Sequence, residues 1–257
     1  MSLSNSVQPP VEGAAKTGAV NDNGPRGIVY HPNVAQGSAD WHELRRGMLT
    51  ASEMRMLVTP ATMKAAANDN QRAHLFTLVS QRIAGYVEET YSGSFDMMRG
   101  HEDEIDARIA YAEHYEPVQD CGFITNDRWG FTIGYSPDGL VGDDGLIECK
   151  SRKHKFQVET ILKSVAENKV PAEFLIQCQT GLLVSERKWL DFISYSAGLP
   201  MATVRVHPDP VVQDAIVSIA TDAEIKINQM HAEFQRVCKS GVRLIPTERR
   251  YEQEITI

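Results

Sequence analysis

The stretch SPDGLVGDDGLIECK, Ser136 to Lys150, sets two acids and a base on short apolar runs divided by turns. On a β-strand, residues two apart face the same side, so Glu148 and Lys150 point into one space and Cys149 into the other. The turn GDDG folds the preceding strand back along this one, which carries Asp138 toward Glu148. Two carboxylates with water suit Mg2+, a hard cation that prefers oxygen ligands and dehydrates reluctantly. Such an ion polarises a phosphodiester and lowers the pKa of a water. Lys150 beside that water steers it and stabilises developing negative charge. Taken singly, the residues also fit an ordinary type I turn at SPDG and a common Glu-x-Lys pair, which recurs at 167, 186 and 224. The setting distinguishes the pair at 148: burying charges in an apolar strand is costly without a purpose.

The rest of the chain limits the alternatives. Its 257 residues, 42% hydrophobic, are enough for a sizeable core. The net charge of −8 speaks against an extended nucleic-acid surface. Cations nevertheless cluster at Arg45-Arg46 and along KSRKHK, Lys150 to Lys155, and a bound metal would offset acids in a site. Cys121, Cys149, Cys178 and Cys238 are far apart, without zinc spacing. They read as reduced thiols in a cytoplasmic protein. No apolar run approaches a membrane span, and MSLSNSVQPPVEG lacks the features of a secretory signal.

Elements must position these residues. Residues 1–37, rich in Gly, Pro, Asn and Ser, read as a flexible tail, and 38–257 as a single domain. Ser38 or Asp40 caps a short helix carrying Trp41, Leu44 and Arg45, and Thr50 or Ser52 caps the next. PATMKAAANDN reads as a loop. Helices are expected over about 71–86 and about 99–115, the second with Ile105, Ile109, Ala112 and Tyr115 along one face. A β-meander follows at about 121–125, 129–135, 138–141 and 146–151. Helices return near 156–168 and 172–185, then the strands WLDFISYS and ATVRVH. A long helix over about 209–239 ends the chain, its stripe running from Val212 to Val237. The fold class is α/β (α+β), a central mixed sheet flanked by helices.

At this point the sequence resembles a known family. Pro137-Asp138 with Glu148-x-Lys150 matches the signature of the PD-(D/E)xK nucleases, which implies a restriction-endonuclease-like core. The likeness extends to phage lambda exonuclease and its viral recombinase relatives. WHELRRGMLTASE (Trp41 to Glu53), GHEDEIDAR (Gly100 to Arg108), SPDGL, LIECK and FLIQCQTGLLV follow that family's motifs in its order.

The resemblance implies roles. Asp138 and Glu148 hold the metal, Cys149 lends it a backbone carbonyl, and Lys150 stands beside the nucleophilic water. The helix glutamate, a further metal and catalytic acid, falls on Glu104, with Glu102 as the competing register, and the first glutamine of Gln-x-Gln, a catalytic residue near the metal, falls on Gln177. Arg45 and Ser52 receive a 5′-terminal phosphate, with Arg46 the alternative one register away; Trp41 belongs to the same 5′-phosphate site, as a packing anchor ahead of the alternative of a base stacker. Arginine suits phosphate because its guanidinium donates two parallel hydrogen bonds, and a helix N-terminus near Ser52 would add N–H donors. The family's activity is Mg2+-dependent 5′-to-3′ exonuclease action on duplex DNA ends, with Mn2+ as substitute. It releases 5′-mononucleotides and leaves 3′ single strands for recombination. A homotrimer ring, a single-strand annealing protein as partner and phage or prophage origin in a bacterial cytoplasm come with it. Two other readings stay open: a sequence-specific endonuclease of the same fold, and a non-catalytic DNA-end-binding module.

Overall fold

The computed structural model describes residues 27–88 and 95–249. Most of the expected tail, residues 1–26, and the last residues of TERRYEQEITI lie outside them. The chain runs through β1 (Ile28–His31), α1 (Ala39–Arg45), β2 (Leu49–Thr50), a 3-10 turn (Met54–Met56), β3 (Val58–Thr59), β4 (Lys64–Ala65) and α2 (Asp69–Ala84). Next come α3 (Phe95–His114), β5 (Val118–Gln119), β6 (Phe123–Asn126), β7 (Ile133–Tyr135), β8 (Gly139–Val141) and β9 (Gly145–Ser151). The last part is α4 (His154–Glu159) with a π-helical continuation (Thr160–Val165), α5 (Ala172–Ser185), β10 (Trp189–Tyr195), β11 (Ala202–Val206) and α6 (Pro210–Cys238).

Two mixed sheets carry the fold. One has the order β1-β6-β7-β2 and the other β11-β10-β9-β8-β5, beside a two-stranded β3-β4 pair. In the larger sheet β9 runs parallel to β10, from Gly145 opposite Trp189 to Ser151 opposite Tyr195. Its other pairings are antiparallel. Side chains of β9 alternate as the strand period requires. Leu146 joins the main core with Leu190, Phe192 and α6 residues, while Ile147 and Cys149 join Ala107, Tyr111 and Ile193 under α3. Helix α5 packs on β6 and β7 of one sheet and on β10 of the other, so it bridges both. Each fully buried Leu, Ile or Phe in these layers contributes about 1.5–3 kcal/mol.

Local signals explain the helix ends. Ser38 caps α1 by accepting the Trp41 N–H, and Asp40 sits in the first turn. Asn68 caps α2 by accepting the Gln71 N–H, and Asp209 accepts two N–H groups ahead of Pro210 at the start of α6.

Four expectations are corrected. Order does not begin near residue 38: β1 pairs with β6, Ile28 opposite Asn126, so the tail reading is wrong for residues 28–31. The single meander is divided, because β6 and β7 pair in one sheet while β8 and β9 pair in the other. The chain crosses between sheets at Ser136-Pro137-Asp138. PATMKAAANDN is not all loop, since Lys64 and Ala65 pair with Thr59 and Val58. The apolar face Ile105, Ile109, Ala112 and Tyr115 is turned to solvent. Helix α3 instead buries Asp103, Ala107 and Tyr111, because polar contacts set its rotation: Ser151 donates to Asp103 at 2.5 Å and Tyr111 to Asp191 at 2.7 Å.

Candidate active site

The sheet crossing fixes the acids. Register between β8 and β9 runs Val141 to Gly145, Leu140 to Leu146, Gly139 to Ile147. One step further sets Asp138 across from Glu148. Gly139 permits this course, because a Cβ there would lie 2.2 Å from Val118 Cγ1 on β5. The Cys149 N–H donates to Asp138 Oδ2 at 2.6 Å. Directly opposed like charges destabilise a strand pair, and both carboxylates are buried, 7% and 1% exposed. Compensation comes from donors on Glu148. Its Oε1 accepts from Lys150 Nζ and from Gln177 Nε2, each at 2.5 Å. Its Oε2 accepts from the Tyr135 hydroxyl at 2.9 Å.

These side chains share a cleft of about 220 Å3 with Glu104, Ser136, Trp41, Arg45, Ala51, Ser52 and Gln36. Burial, then repulsion from Glu148, pushes the Asp138 carboxyl well above the usual aspartate range. Burial also raises Glu104, with Lys150 working against the rise. For Lys150 burial favours the neutral amine, but Glu148 and Asp138 outweigh it and hold the ammonium above the usual lysine range. Asp138, Glu148 and Glu104 thus share Lys150 as a common cationic neighbour.

Glu104 lines the cleft while Glu102 is exposed on the same helix. Likewise Arg45 lines it, whereas Arg46 is turned to Glu43 at 2.7 Å. Arg45 lies 4.2 Å over the Trp41 ring, 3.4 Å from Thr50 Oγ1 and 3.8 Å from Glu53. The Trp41 indole N–H donates to Ser136 Oγ at 2.7 Å, which ties α1 to the turn carrying Asp138. No α-helix starts at Ser52. A single 3-10 turn follows, and its N-cap is Glu53, without a side-chain cap bond. Thr50 donates to the Glu53 carboxylate at 2.7 Å, so two side chains satisfy each other instead of capping backbone. No α-helix N-terminus therefore offers N–H donors at Ser52.

Sequence reasoning missed Tyr135 and Gln36. Gln36 lay in the supposed tail. Tyr135 reads as core because it is an aromatic on a buried strand. Its nearness to Asp138, at the end of a strand entering a turn, was the available signal. Its ring packs on α5 where Gly181 leaves room: a Cβ there would meet the ring at 2.8 Å. A mid-helix glycine costs about 0.5–1 kcal/mol relative to alanine. The second glutamine, Gln179, is structural, donating to the His207 carbonyl and accepting the Asp209 N–H.

Among the described residues no group of three or more His, Cys, Asp or Glu side chains is assembled to hold a metal. The opposed pair Asp138 and Glu148 is nevertheless a hard-oxygen donor set, two carboxyl groups beside the single Lys150 ammonium. Mg2+ commonly binds one or two carboxylates and keeps its waters, so the pair fits it without a full cage. Cys149 enters through its backbone N–H to Asp138, and its thiol lies in the opposite core.

A mixed sheet with helices on its faces and a buried acid pair at a strand crossing defines a restriction-endonuclease-like fold. Residues 40–188 match the YqaJ-like viral recombinase domain, and the chain belongs to that family. It is similar to the alkaline exonuclease LHK-Exo from Laribacter hongkongensis, with 27% identity and a TM-score of 0.63 over 78% of this chain and 100% of the other. The same enzyme in complex with dAMP gives 30% identity with the same coverage and TM-score. A phage-related exonuclease from Haemophilus somnus 129PT shares the fold at 14% identity, with a TM-score of 0.55 over 75% of this chain and 99% of the other. No curated protein matches in sequence.

Proposed function

We propose that the protein is a Mg2+-dependent exonuclease that degrades duplex DNA from 5′ ends, releasing 5′-mononucleotides and leaving 3′ single strands for recombination. One observation carries the reading: Asp138 stands across from Glu148 in a cleft whose other wall presents Arg45 and Ser52. Family membership supports it, as does the similar enzyme solved with dAMP, a mononucleotide.

Asp138 and Glu148 would hold the Mg2+, for which Mn2+ would substitute, with Glu104 and the Cys149 backbone adjoining. The ion supplies Lewis acidity toward the scissile phosphate and a more acidic water. Lys150, kept charged by its neighbours, stabilises negative charge that develops on the phosphate. Gln177 and Lys150 orient Glu148 through Oε1. Arg45 donates to the 5′-terminal phosphate and Ser52 adds a hydroxyl donor. Trp41 holds Arg45 in place through its ring face. The net charge of −8 leaves DNA binding to such local cations. Resemblance extends the proposal to a homotrimer ring, a single-strand annealing partner and a bacterial cytoplasm.

The test is a linear duplex with one phosphorylated 5′ end and labels specific to each strand, beside closed circular duplex. The expected result is mononucleotides from the phosphorylated 5′ strand, an intact circle, and no reaction after chelation. Cutting of the circle would mean an endonuclease. Binding of ends without cutting in Mg2+ or Mn2+ would mean a non-catalytic module.

A further inference from the structure

Tyr135 has no part in the reading above, yet it supplies the hydrogen bond to the second oxygen of Glu148. The donors around that carboxylate are unevenly shared. Lys150 and Gln177 both use Oε1, and both side chains line the cleft. Among the described residues Tyr135 is the donor on Oε2; it lines the same cleft but is 1% exposed and packed between its strand and α5. The lock is specific. Gly181 lies four residues after Gln177, hence on the same face of α5, and the ring fills the space its missing Cβ leaves. One helix face therefore delivers an amide to Oε1 and admits the phenol to Oε2. A cation approaching Oε1 would share that oxygen with Lys150 and Gln177 and would leave the Tyr135 bond on Oε2 in place.

We infer that Tyr135 is a positioning residue: its hydroxyl fixes the Glu148 carboxylate so that Oε1 is presented to the divalent cation. The inference rests on the metal-dependent reading of this site. Hydrogen-bond partners that orient a metal-binding carboxylate typically change metal affinity or activity by about 10–100-fold when removed. Tyr135→Phe removes only the hydroxyl and keeps the ring against Gly181.

The experiment is a double-mutant cycle on the full chain: wild type, Y135F, E148Q and Y135F/E148Q. Mn2+ alone is titrated by calorimetry without DNA, and kcat and KM are measured on linear duplex in Mg2+. Y135F is expected to weaken Mn2+ binding about ten-fold, lower kcat by a similar factor and leave KM for DNA ends within about two-fold. In the E148Q background the same change should cost less than about two-fold, because the carboxylate it serves is gone. Equal Mn2+ affinity in wild type and Y135F overturns the assignment, as does an equal loss in both backgrounds. Should Y135F not fold, recovery of folding in Y135F/E148Q supports the assignment, and continued misfolding overturns it, because the hydroxyl would then serve the fold whether or not the Glu148 carboxylate is there. Mn2+ binding by wild type without any DNA cleavage would end the exonuclease reading and leave the Tyr135 result standing. Absence of Mn2+ binding by wild type would end both.

Discussion

The two walls of the cleft are built differently. At the acid wall, Glu148 and Lys150 sit in a strand paired along its length with β10 and, at its start, with β8. The buried Tyr135 hydroxyl and the partly buried Lys150 ammonium then hold the Glu148 carboxylate from both oxygens. At the cationic wall, Arg45 ends a seven-residue helix and Ser52 follows a two-residue strand. Arg45 is held by a ring face and by contacts of 3.4 and 3.8 Å. Main-chain ladders fix the first wall, side-chain contacts the second. Groups that must meet a reacting centre need close positioning, while recognition of an end tolerates adjustable connections. Trp41 joins the walls through Ser136, two residues before Asp138.

If that division holds, damage to each wall has a separate signature. The largest effect belongs to the acid wall. Asp138→Ala and Lys150→Ala are each expected to fold, bind duplex ends and lose cleavage by about 10^3-fold. Single-turnover assays beside an end-binding titration would read this, and near-normal cleavage by either variant would remove the proposed chemistry. Next in size, Arg45→Ala should lower kcat/KM on 5′-phosphorylated ends by about 10–100-fold, the worth of hydrogen bonds to a charged group. Cleavage from 5′-hydroxyl ends should barely change. Competition between the two substrates measures the preference directly, and a larger loss in Arg46→Ala would move the phosphate to the neighbouring residue. Ser52→Ala should show the same pattern at about ten-fold, the low end for a single hydrogen bond to a charged group.

The same division governs what could be read from sequence. Asp138, Glu148 and Lys150 were legible because a strand's period and a tight hairpin translate spacing into direction. Arg45 and Glu104 were legible as candidates, but that they line the cleft and Arg46 and Glu102 do not needed tertiary placement. Helix α5 was bounded correctly at 172–185, and α6 closely. The face of α3 was not legible, because hydrophobic periodicity cannot see a helix that buries Asp103 and Tyr111 for their hydrogen bonds. Strand β1 escaped because its four residues lie next to a Gly- and Pro-rich stretch and pair with a strand distant in sequence. The turn at Thr50-Ala-Ser-Glu looked like a cap because its residue types are those of one, but the hydroxyl and the carboxylate found each other.

The smallest effect separates the walls by electrostatics. Asp138 is buried opposite Glu148, and its carboxyl is raised above the ordinary value of 3.8 by burial first and Glu148 second. A carboxyl with a raised folded pKa binds its proton more tightly folded than unfolded. Its ionisation therefore costs stability at neutral pH, and that cost is relieved as pH falls through the folded pKa toward the unfolded one. Asp138→Asn keeps an acceptor for the Cys149 N–H and removes the charge. Without metal at pH 7 it should melt about 2–4 °C above wild type, the shift for about 1 kcal/mol in a chain of this size. The gap should close in acid. Added Mg2+ should raise wild type and leave the variant where it was, because a cation stabilises only the form that binds it. Arg45→Ala keeps Asp138, so its melting should follow the same pH course as wild type through the Asp138 titration. A variant that melts below wild type at neutral pH would mean that Asp138 earns its burial by hydrogen bonding alone, and the acid wall would then be no more strained than the cationic one.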